Sequence, residues 1–559
     1  MRHTYVKHLF AATLLLLIVI PGCKDDKSEN EKVSNSQSSI QNANQLIPAK
    51  NALAYFYTDI QSLSDAMDLD KPSQWQELAL IHELPYMNSN DSVIQPLIDH
   101  FFSQGIQDGK IMGSVGITTN LMQLYNGLQS ERTFAEEWQE LLSFDMAIVS
   151  TSTSLLIDAL EAEGILEDAS STPINQYGFK THAIEDIMIG WCDTILLFSN
   201  NSATQLGKPH KENIGNFAHH KELLNHDASI LIDMPSSLSK SLVRAIPLAA
   251  KSAPNVEITN GLERLLIDLT EAYDYQLYSI NVENNNVHLA MEVAMDPTTK
   301  LAQILYQSCD EKETPNLPLR KVSPTDNELL FGFGYTCLDF IEVLDKEYDY
   351  FNSLHALQEN IQEAPSNDPM ATMFDFPRKD IIQFYGDLSG EYSFSYQRDS
   401  AKGMHLSLFL GMDTVLSEGL QQKIDGILSF MTLFGILPPE STTIKYADDG
   451  IYLVLGEYAD DIHRFKQGEW PEFDYASKED RIGYGEIDVI TLAKSVGFSE
   501  DFSNIESFDQ LLGNLQLELL MNPTKAKATT AMKWTIKRDK TNADQGTLWV
   551  LLSPLFEQF

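Results

Sequence analysis

Basic residues are scarce in this 559-residue chain: 39 Lys and Arg stand against 80 Asp and Glu, a net charge of −41. Binding to nucleic acid needs Lys and Arg clustered against phosphate, so this balance excludes nucleic acid as a partner. It also argues against a body lying flat on an anionic lipid surface. Cysteine is scarce too, four in all, which excludes a disulfide-stapled scaffold. Long apolar runs are confined to the N-terminus. Leu9 to Ile20 is twelve residues without a charge, too short for a helix across ~30 Å of hydrocarbon, which needs about 20 residues. Catalytic signatures are missing as well: no GxSxG elbow, P-loop or GxGxxG follows a strand-like run.

What is there begins with that run. Arg2 and Lys7 make the start positive, and Pro21-Gly22 break the apolar helix just before Cys23. This is the layout of a secretory signal. The stretch Ile20-Pro21-Gly22-Cys23 resembles the lipobox of bacterial lipoproteins. That resemblance implies cleavage before Cys23, acylation of its thiol and of the new N-terminus, and a stable membrane anchor. Lys24, rather than Asp, follows the cysteine, which in that family implies the outer membrane. Residues 24–46, KDDKSENEKVSNSQSSIQNANQL, are mostly polar and predict a disordered tether. Loss of residues 1–22 removes Arg2 and Lys7 and no acid. The mature chain then carries 37 basic against 80 acidic residues, net −43.

The body is 43% hydrophobic and 10% aromatic, enough for large cores, and it exceeds the length at which a single core stops growing. One phrase recurs along it: ALAYFYTDIQSLSDAM from Ala52, ASILIDMPSSLSKSL from Ala228, ELLFGFGYTCLDFIEVL from Glu328 and RIGYGEIDVITLAKSV from Arg481. Each reads as a short strand, a polar turn and a helix start, with Asp59, Ser236, Thr336 and Asp488 placed to cap it. Period-2 alternation around turn residues predicts antiparallel hairpins at 275–295, 392–412 and 529–553. Strand-rich links at 177–200 and 444–458 precede the Ala228 and Arg481 phrases. A proline-rich, weakly apolar stretch around 310–326 divides the pattern in two.

These readings predict an α+β chain: two tandem, duplicated domains of antiparallel sheets with helices packed on them. A doubly wound parallel sheet is rejected, because buried Val/Ile strands with Gly-rich turns are missing. The predicted order is a signal peptide over 1–22, acylated Cys23 and tether over 23–46, a first domain over 47–310, a linker over 311–325 and a second domain over 326–559. The phrase IPAKNALAYFYTDIQSL at 47–63 resembles the start of a group of bacterial envelope lipoproteins without assigned chemistry. It implies an envelope body and no particular reaction.

Candidate chemistry is sparse and no catalytic residue is assigned. In HKENIGNFAHHKELLNH, 210–226, a helix over 218–226 would set His219, Glu222 and His226 on one face at i, i+3 and i+7. That set could meet a divalent metal, but HExxH is absent and the segment reads first as a solvated linker helix. No other cofactor is expected. STSTS at 150–154 reads as a loop or edge. The glycines of FGFGY at 331–335 read as close backbone approach rather than a phosphate cradle. Tyr55, Phe56, Tyr57, Tyr273, Tyr275, Tyr348, Tyr350 and Phe351 read as core, or as lining for a sugar or peptide groove. Cys192, Cys309 and Cys337 remain as thiols, the last two able to pair. The expected function is a lipid-anchored, non-catalytic envelope protein that binds a protein or glycan partner. A periplasmic hydrolase or metal enzyme, and a carrier of apolar ligands, stay open.

Overall fold

A computed structural model describes residues 43–62, 109–117, 142–162, 166, 172–233, 239–243, 260–310, 330–351, 378–399, 403–433, 442–469, 481–488, 515–523 and 528–537, apart from positions scattered within these ranges. Two compact units divide the chain. One takes Met1–Leu238, Tyr275–Met291 and Lys537–Phe559; the other takes Ser239–Asp274 and Glu292–Ile536.

The α+β expectation is corrected. The described strands form one antiparallel sheet of seventeen, and helices are the minor component. The physical reason lies in the connections. The strand-rich segments 177–200 and 444–458, read as links between strand–helix units, instead extend the ladder itself. Alternation in a sequence identifies strands, but joining them into one sheet depends on long-range pairing that periodicity does not carry.

In the first unit, β1 (Ala52–Asp59) is flanked by β2 (Lys110–Ile117) and β7 (Ala228–Asp233), both antiparallel to it. The ladder runs on through β3 (Leu142–Val149), which pairs with β6 (Ile195–Ser199), then β5 (Ile187–Trp191) and β4 (Lys180–Ile184). On the other side β7 pairs with β8 (Tyr273–Glu283), and β9 (Asn286–Met295) follows in sequence. Among its described residues the unit also carries helices α1 (Thr153–Ala162) and α2 (His220–Leu224).

The pairing order recurs in the second unit. There β10 (Leu330–Tyr335) lies between β11 (Leu388–Asp399) and β15 (Arg481–Ile487). Then β11 pairs with β12 (Gly403–Met412), β12 with β14 (Gly450–Gly456), and β14 with β13 (Thr442–Tyr446). On the far side β15 pairs with β16 (Leu515–Pro523) and β16 with β17 (Ala528–Lys537). The strand at 528–537 folds back on 515–523; the turn and second strand of the hairpin expected around Gly546 lie outside the described residues. Residues 538–559 lie outside the described residues. The helices are α3 (Asn260–Ala272), α4 (Lys300–Asp310), α5 (Phe340–Tyr348), α6 (Arg378–Asp387), α7 (Glu418–Leu433) and α8 (Ile462–Lys466).

Residues directly opposite in a ladder share a face. In the first unit this sorts the side chains cleanly. Phe56, Met146, Phe198 and Ile189 fall in one row, with Ile111, Ile148, Leu196 and Trp191 in the next. Leu156, Ile157 and Leu160 of α1 close over them. Burying each such side chain contributes about 1.5–3 kcal/mol. Gly113 sits directly under the Phe56 ring, where a Cβ has no room. The opposite face carries the row Tyr55, Ser114, Asp145 and Ser199, all buried.

The second unit repeats the division. Ser395 and Ser407 pair across β11 and β12, fully buried, their hydroxyls 3.0 Å apart. Beside them Phe409, Tyr452 and Val454 meet Ile462 and Phe465 of α8. On the other face Leu388, Met412 and Ile451 meet Leu416 and Leu420 at the start of α7. The FGFGY glycines are places of close approach, as expected: rings or hydroxyls of Phe394 and Tyr392 occupy the space of a Cβ at Gly332 and Gly334.

Candidate functional site

The densest polar arrangement among the described residues lies at one end of β1 in the first unit. In register, Asp59 faces Lys110, Thr58 faces Ala228, and Ala228 faces Ile280. Four chain segments therefore end together, and each brings polar groups. Lys110 Nζ forms an ion pair with Asp59 and lies 3.4 Å from the Tyr57 hydroxyl. Asp59 also accepts from the Ser62 amide at 3.1 Å, the helix cap expected of it. Ser62 Oγ donates to Asp227. Asp227 accepts from the Val282 amide at 2.8 Å and donates its own amide towards Asn281 Oδ1 at 3.4 Å. The Asn281 side-chain nitrogen lies 2.9 Å from His226 Nδ1.

The electrostatics suit structure more than reactivity. Burial pushes the Tyr57 phenol up, against the lowering effect of Lys110. Burial alone would lower Lys110, but Tyr57 and Asp59 hold it above its ordinary value. At neutral pH Lys110 is thus a cation and Tyr57 a neutral phenol. The arrangement fixes a charge between acceptors and ties four segments together. It does not produce a thiolate, a phenolate or a free amine.

The expected metal set is not assembled. The helix needed to align it spans only His220–Leu224. His219 precedes that helix and its ring packs on Tyr275, with centroids 4.6 Å apart. Glu222 lies inside the helix, while His226 lies beyond its end against Asn281. Among the described residues, no group of three or more His, Cys, Asp or Glu gathers as metal ligands. In the STSTS segment, buried Thr153 Oγ1 donates to the Ser150 carbonyl at 2.9 Å at the start of α1, a turn contact rather than a nucleophile's. Tyr55, Phe56, Tyr57, Tyr275 and Tyr348 are all buried. Cys23, Cys337 and the Cys309 side chain lie outside the described residues; Cys192 is a half-buried free thiol.

Sequence reasoning named Tyr57 only as core or groove lining, and missed Lys110, Asp227 and Asn281. Their only signal was Asp59 as a cap, because the partners come from positions up to 165 residues apart. No protein-family model and no curated protein sequence matches the chain. Among solved structures, three crystal forms of TP0453 align weakly. Form III gives a TM-score of 0.24 at 7% identity, over 45% of this chain and 78% of that chain. Form I gives 0.22 at 6%, over 45% and 78%. Form IV gives 0.23 at 7%, over 46% and 79%. At these scores neither fold nor function carries over. Among the described residues, no helix is long and apolar enough to cross a membrane.

Proposed function

We propose that this chain is a lipid-anchored cell-envelope protein whose body binds another envelope component, a protein or a glycan, without catalysis of its own. The observation that carries the reading is the N-terminal sequence: twelve uncharged residues from Leu9, then Ile20-Pro21-Gly22-Cys23 and a polar tether. A span of that length serves export better than permanent insertion. Lys24 after the cysteine favours the outer membrane, with the body in the periplasm or at the surface.

Metabolic labelling with palmitate in a bacterial host tests the anchor. The unaltered chain is expected to take up label and to sediment with membranes. Cys23→Ala is expected to lose both. Label retained in Cys23→Ala would place the acyl group elsewhere and remove the reading. Crosslinking of the anchored protein in intact cells tests the partner. Failure to capture one under conditions that capture known envelope complexes counts against a binding role.

A further inference from the structure

The two units are built so alike that each strand has a near-double in the other. A central strand lies between two others in both: β1 between β2 and β7, β10 between β11 and β15. The registers superpose. Tyr55 opposite Ser114 corresponds to Phe331 opposite Ser395, and both serines are buried. On the other flank Ala54 faces Ile232 and Leu330 faces Ile487, and an aspartate follows each isoleucine, Asp233 and Asp488. The central strands share an aromatic alternation, Tyr55 and Tyr57 against Phe331 and Phe333. By this pattern β11 suits β1 as well as β2 does. The chain also leaves and re-enters each unit along its length. Misassembly and swapping of like elements are characteristic failures in the folding of repeated units.

The same superposition exposes one place where the units are opposites. Phe56 opposite Gly113 corresponds to Gly332 opposite Phe394. In the first unit the ring belongs to the central strand and lies where a Cβ of Gly113 would be. In the second unit the ring belongs to the flanking strand, and a Cβ at Gly332 would lie 2.7 Å from it. Gly334, under the Tyr392 side chain, repeats the second arrangement. Each unit thus fills the slot with one ring and one glycine. Charge differs at the same junction: Asp59 faces Lys110 in an ion pair, whereas Tyr335 faces Glu391.

Exchange breaks both matches. With β1 on β11 in this register, Phe56 faces Phe394, whose Cβ fills the space the Phe56 ring needs, and Asp59 faces Glu391. With β10 on β2, Gly332 faces Gly113 and the slot holds no ring at all. Cores penalise overfilling and voids alike, and like charges directly opposite in a ladder repel. We infer that the reversed ring–glycine pairs, together with the Asp59–Lys110 ion pair, are a sorting device: they direct β1 to β2 and β10 to β11 as the chain folds, and exclude exchange of strands between the units. The inference is independent of the anchor and of any partner.

The test is refolding from urea of the chain from residue 23 with Cys23→Ala, carrying Ala54→Cys and Tyr396→Cys. In the native ladder Ala54 faces Val115 and Ile232, and Tyr396 faces Leu330 and Leu406. In an exchanged β1–β11 pair the two cysteines are directly opposite, close enough to bridge. A 54–396 disulfide, identified by peptide mass mapping, counts exchanged chains, and the same chain oxidised without unfolding sets the background. The parent is expected to refold with a linked fraction near background; a fraction well above it overturns the device. Phe56→Gly with Gly113→Phe gives the first unit the arrangement of the second, and is expected to raise the linked fraction at least about tenfold. Glu391→Lys sets a cation opposite Asp59 in the exchanged pair, and is expected to raise it about threefold. No rise with a folded Phe56→Gly, Gly113→Phe chain overturns the device. Should that chain fail to fold, Glu391→Lys is read in its place, and no rise there overturns it.

Discussion

Ser393 sits in an unfavourable setting. It is 3% exposed, opposite Phe409 on one side and Phe333 on the other, and among the described residues its hydroxyl has no hydrogen-bond partner. A buried, unmatched hydroxyl costs about 1–3 kcal/mol, and alanine keeps most of its volume. Ser393→Ala is therefore expected to leave stability unchanged or raise it, read as a higher urea midpoint with the same m-value. His405, opposite Gln397, is also 3% exposed. Burial lowers its pKa to about 4, with a backbone hydrogen bond at Leu455 acting weakly in the other direction. The unfolded imidazole titrates near ~6.5. Between those values the unfolded chain binds the extra proton, so stability falls as pH falls, by about 3 kcal/mol in all. Comparing urea midpoints at pH 7 and near pH ~4, His405→Gln is expected to lose that share of the acid sensitivity. An equal pH slope in both proteins removes His405 as its source.

At the scale of elements, β1 shows what local sequence does well. Alternation and β-rich residues predict the strand, and Asp59 predicts the turn out of it; both are where the sequence places them. Asp59 carries a second load, the ion pair with Lys110, whose side chain is 26% exposed. Asp59→Ala is expected to cost about 1–2 kcal/mol through the lost cap, plus the stranding of a half-buried cation. Asp59→Asn keeps the cap acceptor and is expected to cost less. Thermal melts of the two variants separate cap from charge, and equal losses would assign the effect to the charge alone. The 210–226 stretch shows the opposite case. Histidine and glutamate spacing suggested a metal face, but Asn213 and Asn216 tie the chain into turns before a helix can start. Side chains that bond to nearby backbone compete with helix, and here they win.

At the scale of the molecule, net charge dominates. With a net charge of −41 on the chain, repulsion opposes the compact state. Raising NaCl from about 0.01 M to about 0.5 M shortens the screening length from roughly 30 Å to roughly 4 Å. The melting temperature is expected to rise over that range. A flat or falling melting temperature would mean that the acids are already paired or that surface ion pairs matter more. The repeated pairing order, β10 between β11 and β15 as β1 lies between β2 and β7, is the molecular counterpart of the four recurring strand phrases.

By itself the sequence determined units of construction: the strands at Ala52, Ala228, Leu330 and Arg481, and their antiparallel character. These follow from composition and from period-2 alternation, which act over a few residues. Only the tertiary structure decided that the link segments join the ladder, that Lys110 and Asp227 meet at the end of β1, and that residues 43–49 lie bound against 210–214. Each depends on contacts between positions tens to hundreds of residues apart. Such contacts form because burial and hydrogen bonding reward them after the chain has closed its loops, and no local pattern records which closures succeed.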